Sequence, residues 1–287
     1  MPRPSDALTT DANPDHWPDL ARRWSLVGPP LRVSAEDAAA YAEFARRILE
    51  RPQPPRVLIL GVTPELYGLP WPAGTLLRAA DRSAAMARAV WPGPPEAVQI
   101  EDWTRLSFAP SSFDLALCDG GLHLLSYPDG QAGFVRSLRR VLAPGALLLL
   151  RLFVPPPEAE AVDEVLRDLG AGRIGNVNEL KIRLDMALQP DPVTGVRIGD
   201  VWEAFERAEP DLDALAARTG WSRESLGSIE AYRGSEATYH FVTERQVRRL
   251  FEVDPGGFTV EAVREPAYEL GQRFPLVALR RGPEDGG

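Results

Sequence analysis

Three residues that close consecutive hydrophobic runs carry the first chemical signal in this chain. Gly61 follows VLIL, Asp81 closes TLLRAA twenty residues later, and Asp102 closes AVQIE. A carboxylate at the end of the second such run can accept hydrogen bonds from both hydroxyls of a ribose, and one ending the third can reach the edge of a base. A glycine ending the first allows close approach of a ligand to the backbone. Each acid alone would pass for a loop-solvating aspartate; their order along the chain points to a nucleoside-binding edge. Thr63 and Glu65, in the turn after Gly61, are polar groups able to hold a charged ligand end, or plain turn residues. Two histidines are candidates for proton transfer: His123, in the loop after FDLALCD, and His240, just before the last helical stretch. Spacing assigns neither as a base, and both suit packing roles. Cys118 is the sole cysteine and reads as a small buried strand residue. With three histidines beside it, no cluster has zinc-site spacing, so no metal is expected.

The elements that must position these residues show in the hydrophobic pattern. From Arg56 onward, short continuous apolar runs alternate with helical stretches: VLILG, TLLRAAD, AVQIED, FDLALCD and ALLLLRLF read as strands, SAAMARAVW and QAGFVRSLRRVL as helices. Continuous apolar runs ending in turn residues suit strands buried on both faces. The alternation predicts an α/β fold with a doubly wound open sheet, whose binding crevice lies at the carboxyl ends of the strands. Two helices precede it, the second capped by Ser34 and stopped by RPQPP. About 80 mostly helical residues follow the fifth strand, and the chain returns to the core with TERQVRRLFEV and two strands, FTVEAVREPAYE and FPLVALRR. The helical stretch reads as a cap over the strand edge, where Trp202, Phe205, Trp221 and Tyr232, with Trp17 and Trp24, could line an apolar pocket. Residues 1 to about 13 and the tail GPEDGG are expected to be frayed.

Composition narrows the class. The chain has 287 residues, 44% hydrophobic and 25% charged, which suits one sizeable core with an accessory lobe. A formal charge of −9 works against nucleic-acid or anionic-membrane partners. No apolar run approaches the roughly 18 residues of a membrane span, and the N-terminus has no secretory h-region, so a cytoplasmic location is expected. Lys181 is the only lysine among 32 basic residues, which reads as compositional bias.

At VLILGVTPE, AADRSAAM, QIEDWTRLSFAPSSFDLALCDGGLHLL and FVRSLRRVLAPGALLLL the chain resembles the class I S-adenosylmethionine-dependent methyltransferases, over roughly residues 56 to 151. The resemblance implies a Rossmann-like, mostly parallel seven-stranded sheet with S-adenosyl-L-methionine as cofactor. With the pattern of elements, the chain divides into an N-terminal helical segment (1–50), a cofactor-binding core (51–155), a helical cap insertion (156–236) and a return to the core (237–287), and the resemblance falls in the second of these. It also implies that Gly61 lets the cofactor approach the backbone and that Asp81 binds the ribose hydroxyls. By the same likeness Arg82 and Met86 flank the adenine, Asp102 and Trp103 contact its edge, and Asp119 lies near the methionine end. The first motif departs from the family pattern: Ile59 stands where an acidic residue is usual, and Val62-Thr63-Pro64-Glu65 replaces a glycine-rich turn. Pro64 cannot donate an amide hydrogen bond, so the amino-acid end of the cofactor must be held differently.

The turn also lacks the G-x-G-x-x-G spacing that seats a pyrophosphate, which argues against a nicotinamide dehydrogenase. CDGGLHLL follows the fourth strand in place of the Asp-Pro-Pro-Tyr or Asn-Pro-Pro-Tyr motif that orients planar amino groups in many nucleic-acid methyltransferases of this class. The expected activity is methyl transfer to a small-molecule acceptor by in-line displacement, in which a general base is optional. The alternative is a non-catalytic adenosylmethionine-binding or regulatory protein.

Overall fold

The apolar runs form the strands of one sheet. The computed structural model describes residues 17–283, so the expected fraying of residues 1 to about 13 lies outside the described residues, as do the last four residues of the GPEDGG tail. Strands β1 (Arg56–Leu60), β2 (Leu76–Asp81), β3 (Val98–Ile100), β4 (Phe113–Asp119) and β5 (Leu142–Arg151) pair in parallel. A separate two-stranded ribbon joins β6 (Val196–Arg197) to β7 (Thr238–Tyr239). The last strands, β8 (Phe258–Arg264) and β9 (Leu276–Arg281), complete a seven-stranded sheet of order β3-β2-β1-β4-β5-β9-β8, in which β9 is antiparallel to both neighbours. The chain leaves β1 toward β2 and β3 and returns on the other side at β4. A crevice therefore opens at the carboxyl ends of β1 and β4.

Both faces of the sheet are covered. In β1, Val57 and Ile59 face one apolar cluster while Leu58 and Leu60 face the other, the two-residue alternation of a strand. The first cluster takes α1 (Trp17–Arg22), α2 (Ala35–Leu49), α3 (Pro64–Tyr67) and α4 (Ala84–Val90); the second takes α5 (Asp129–Val141). Helix α2 begins with a capping box: Ser34 Oγ accepts from the Asp37 amide at 3.1 Å, and Asp37 Oδ2 accepts from the Ser34 amide at 2.9 Å. The third strand is shorter than its sequence pattern. It ends at Ile100, and Asp102 instead turns the chain by accepting from the Thr104 amide at 2.8 Å.

Beyond β5 come α6 (Val162–Gly170), α7 (Val177–Leu188), α8 (Ile198–Ala208), α9 (Leu212–Thr219) and α10 (Arg223–Leu226). These helices and the β6–β7 ribbon build a third apolar cluster that includes Phe153, Tyr239, Phe241 and Phe274, residues adjoining the sheet edge. Helix α7 is its centre, buried from Val177 through Met186, charged residues included. Helix α11 (Glu244–Arg248) continues as a π-helical turn through Val253 before β8. No helix among the described residues is long and apolar enough to cross a membrane.

Candidate functional site

The crevice is built from the backbone outward. Gly61 has φ +94°, a conformation that L side chains rarely adopt. The nearest side-chain atoms to a Cβ there would be Thr63 Oγ1 at 3.8 Å and Trp103 Cζ2 at 3.9 Å, ordinary contact distances. Across the crevice the Trp103 indole lies against Gly121, where a Cβ would stand 2.7 Å from the ring. Its Nε1 donates to the Ala80 carbonyl at 2.7 Å, locking a flat apolar surface beside the end of β2. Asp81 ends β2, and its Oδ1 accepts from the Ser83 amide at 2.7 Å. Arg82 is exposed beside it. Met86 does not join this group: it is 4% exposed within the cluster of Val57 and Ile59, because the Ser83 cap sets α4 with that face toward the sheet. Asp102 is exposed, with Oδ1 holding both the amide and hydroxyl of Thr104. Thr63 is buried at the start of α3.

Sequence reasoning missed the ion network at the end of β5. Arg151 is fully buried, its Nε bonded to Asp119, its Nη1 3.6 Å from Asp37 and 3.0 Å from the Pro30 carbonyl. The Tyr268 hydroxyl accepts from Nη1 at 3.3 Å, and Tyr41 ties the strand ends together by donating to the Cys118 carbonyl at 2.8 Å. The guanidinium also lies over the Phe153 and Phe274 rings. Burial works against this cation, but Asp119 and Asp37 hold its pKa above the ordinary value. Burial likewise pushes the Asp119 carboxyl up, with Arg151 pulling it back. Beside them Glu65 pairs with Arg32, whose guanidinium lies over Trp24. Two buried atoms here have no partner: Glu65 Oε2 and Arg151 Nη2. A charged residue closing the otherwise apolar run ALLLLR was the available signal, since an arginine there must be paired to be buried.

The histidines are placed for packing. The His123 ring stacks between Phe153 and Phe241, with centroids 4.9 Å away on each side. Burial drives its pKa down to about 3, with His240 adding to the effect, so the ring is a poor proton acceptor near neutral pH. His240 Nδ1 lies 2.9 Å from the Pro192 carbonyl, on the cap side of the ribbon. The base role read onto His123 therefore does not fit its surroundings. Cys118 is fully buried and its thiol is pushed up by that burial.

The aromatic residues divide. Trp202 and Phe205 lie in the cap's own core, where Trp202 Nε1 donates to Glu206 at 3.0 Å and Arg233 covers the ring. They pack the cap, and Trp221 packs against the same cluster. Trp17 and Trp24 pack instead on the α2 side of the sheet, and Tyr232 lies beneath Lys181 of α7. The N-terminal segment and cap nevertheless meet at the carboxyl edge: Gly28 adjoins Asn178 of α7, and Pro30 adjoins Arg151. Among the described residues, no group of three or more His, Cys, Asp or Glu side chains is placed to hold a metal ion.

Residues 69–150 match a family described as the methyltransferase domain. No curated protein matches the chain. Among solved structures, one from Rhodobacter sphaeroides with the provisional name of a Zn-dependent alcohol dehydrogenase is 16% identical, with a TM-score of 0.55 over 92% of this chain and 98% of its own. The CurJ carbon methyltransferase is 12% identical, with a TM-score of 0.52 over 88% of this chain and 56% of its own. An S-adenosylmethionine-dependent methyltransferase from Mesorhizobium loti is 18% identical, with a TM-score of 0.46 over 86% of this chain and 100% of its own. For the first two, at these identities, the likeness is one of fold. A methyltransferase domain is thus matched over residues 69–150, within a seven-stranded sheet of order β3-β2-β1-β4-β5-β9-β8 that has the class I methyltransferase fold.

Proposed function

We propose that this protein transfers a methyl group from S-adenosylmethionine to a small-molecule acceptor held under the cap. The observation that carries the reading is the pair of unpartnered buried atoms, Glu65 Oε2 in the turn after Gly61 and Arg151 Nη2 at the end of β5. An acidic oxygen and a basic nitrogen without partners in one corner complement the ammonium and carboxylate of an amino acid. A buried polar group left unpaired is costly, so a zwitterion bound there satisfies both. This answers the departure in the first motif: contacts usually given by a glycine-rich turn pass to Glu65, held by Arg32, and to Arg151, held by Asp119 and Asp37.

In this arrangement Asp81 accepts from the ribose hydroxyls, the Trp103 indole and Asp102 border the base, and Asp119 keeps Arg151 oriented. Thr63 borders the opening above Gly61. The bound cofactor supplies an electrophilic methyl carbon on a sulfonium. The chain's task is then to hold the acceptor atom in line with that carbon and exclude water, and positioning of this kind can supply roughly 7–11 kcal/mol of barrier lowering. The cap over the sheet edge and the charge of −9 favour a small acceptor over a nucleic acid.

Replacing Asp81 tests the cofactor assignment. Asp81→Ala should weaken adenosylmethionine binding by about 1–3 kcal/mol in calorimetric titration, because two hydroxyls lose a charged acceptor. An unchanged dissociation constant in a folded variant would sink the ribose assignment.

A further inference from the structure

Helix α7 carries a buried polar face that cofactor binding leaves unused. Asn178, Lys181 and Asp185 are spaced i, i+3 and i+7, so they project from one side of the helix. They are 6%, 1% and 1% exposed. Lys181 Nζ lies 4.7 Å from the centre of the Tyr232 ring, and the Tyr232 hydroxyl is hydrogen-bonded to Asp185. Asp185 Oδ1 and Asn178 Oδ1 have no partner. Two buried acceptor atoms on one face call for a ligand that donates hydrogen bonds.

The face adjoins the methyl-transfer corner. Asn178 Nδ2 is 3.5 Å from the Cβ position of Gly28, and two residues along the chain the Pro30 carbonyl accepts from Arg151. Two residues span at most about 7 Å. Lys181 is moreover the one lysine among 32 basic residues. Arginine cannot be deprotonated in a protein, whereas a buried lysine can exchange its proton.

We propose that this face is the acceptor end of the site: an alcohol, phenol or amine donates to Asp185 Oδ1 and Asn178 Oδ1, and its proton passes to Asp185 as it is methylated. This rests on the methyl-transfer reading above. The acceptor's oxygen or nitrogen lone pair forms the new bond to the methyl carbon. The carbon–sulfur bonding pair stays on sulfur, giving a neutral thioether, and the acceptor's proton ends on the Asp185 carboxylate. Burial pushes Lys181 down and Asp185 up from their ordinary ranges, each opposed by the charge of the other, which brings both within reach of neutral pH. Asp185 and Tyr232 are the titratable groups facing Lys181, with Tyr239 acting on Tyr232. Glu160 and Asp168 pair with Arg183 on the opposite side of α7, and Arg197 takes Asp200, Glu203 and Glu236.

A sole lysine makes the test direct, because the full chain labelled with ¹⁵N at lysine Nζ gives a single side-chain signal. The signal should titrate below the range of free lysine and shift on addition of phenol or ethanolamine as donor probes. Asp185→Asn should lower the titration midpoint further, since it removes the opposite charge, and should abolish the probe-dependent shift. A wild-type signal that neither probe moves would overturn the proposal, and that measurement needs no variant to fold. Failure to bind adenosylmethionine in calorimetry would instead overturn the methyl-transfer reading, with the Lys181 signal still deciding whether the face binds a donor.

Discussion

The buried His123 ring has a consequence for stability that its role in packing dictates. Its folded pKa is held near 3 by burial, against 6.5 for an ordinary histidine. Between those values the unfolded chain binds a proton that the folded chain refuses, so stability is complete above 6.5 and falls as pH drops toward 3. The slope reaches at most about 1.4 kcal/mol per pH unit for one such group. His123→Phe, which keeps a ring between Phe153 and Phe241, should flatten that acid limb in urea-denaturation midpoints measured against pH. An acid limb of unchanged slope would place its cause elsewhere. At this scale the strand-end positions of Gly61 and Asp81 were legible in the sequence, because apolar runs mark the strands they close. Arg151, Asp37 and Tyr268 were not, because their meeting joins residues far apart in the chain. Met86 misled for the complementary reason: proximity in sequence to Asp81 does not say which way a helix turns its side chains.

Among the elements, local signals were reliable where one segment decides its own conformation. Ser34 and Asp37 make a capping box readable three residues apart, and β1, β4 and β5 follow from apolar runs. The same Asp37 then reaches Arg151, so the start of α2 positions part of the corner. Ser34→Ala should cost about 1 kcal/mol of stability by the loss of the cap. A larger effect on adenosylmethionine affinity than on stability would mean that the cap acts mainly through Asp37. The short β3, the β6–β7 ribbon and the π turn after α11 escaped the sequence pattern. The ribbon is only two residues on each side, and its pairing joins Val196 and Tyr239, both buried in the cluster around α7.

Over the whole molecule, the sheet and cap are joined at one seam, where Phe153 carries His123 on one ring contact and Arg151 on another. In the proposed reading the sheet side of the seam supplies cofactor contacts and the cap side the face of α7, so changes in the two should separate. Trp202 belongs to the cap's interior, away from that seam. Trp202→Ala should therefore lower the melting temperature, at a cost of roughly 3–5 kcal/mol for a large core aromatic. Adenosylmethionine affinity should stay within about 1 kcal/mol in the protein that remains folded. A selective loss of cofactor affinity without loss of stability would contradict this division.

The central claim is that Glu65 and Arg151 hold the amino-acid end of adenosylmethionine in place of a glycine-rich turn. The most direct measurement compares, by calorimetry on the wild-type chain, S-adenosylmethionine with 5′-methylthioadenosine, which keeps the nucleoside and lacks the zwitterion. The account predicts saturable one-site binding of adenosylmethionine and a loss of at least about 1.5–3 kcal/mol for methylthioadenosine, the worth of a hydrogen bond to a charged group. Equal affinities for the two ligands, or no binding of adenosylmethionine at all, would contradict it.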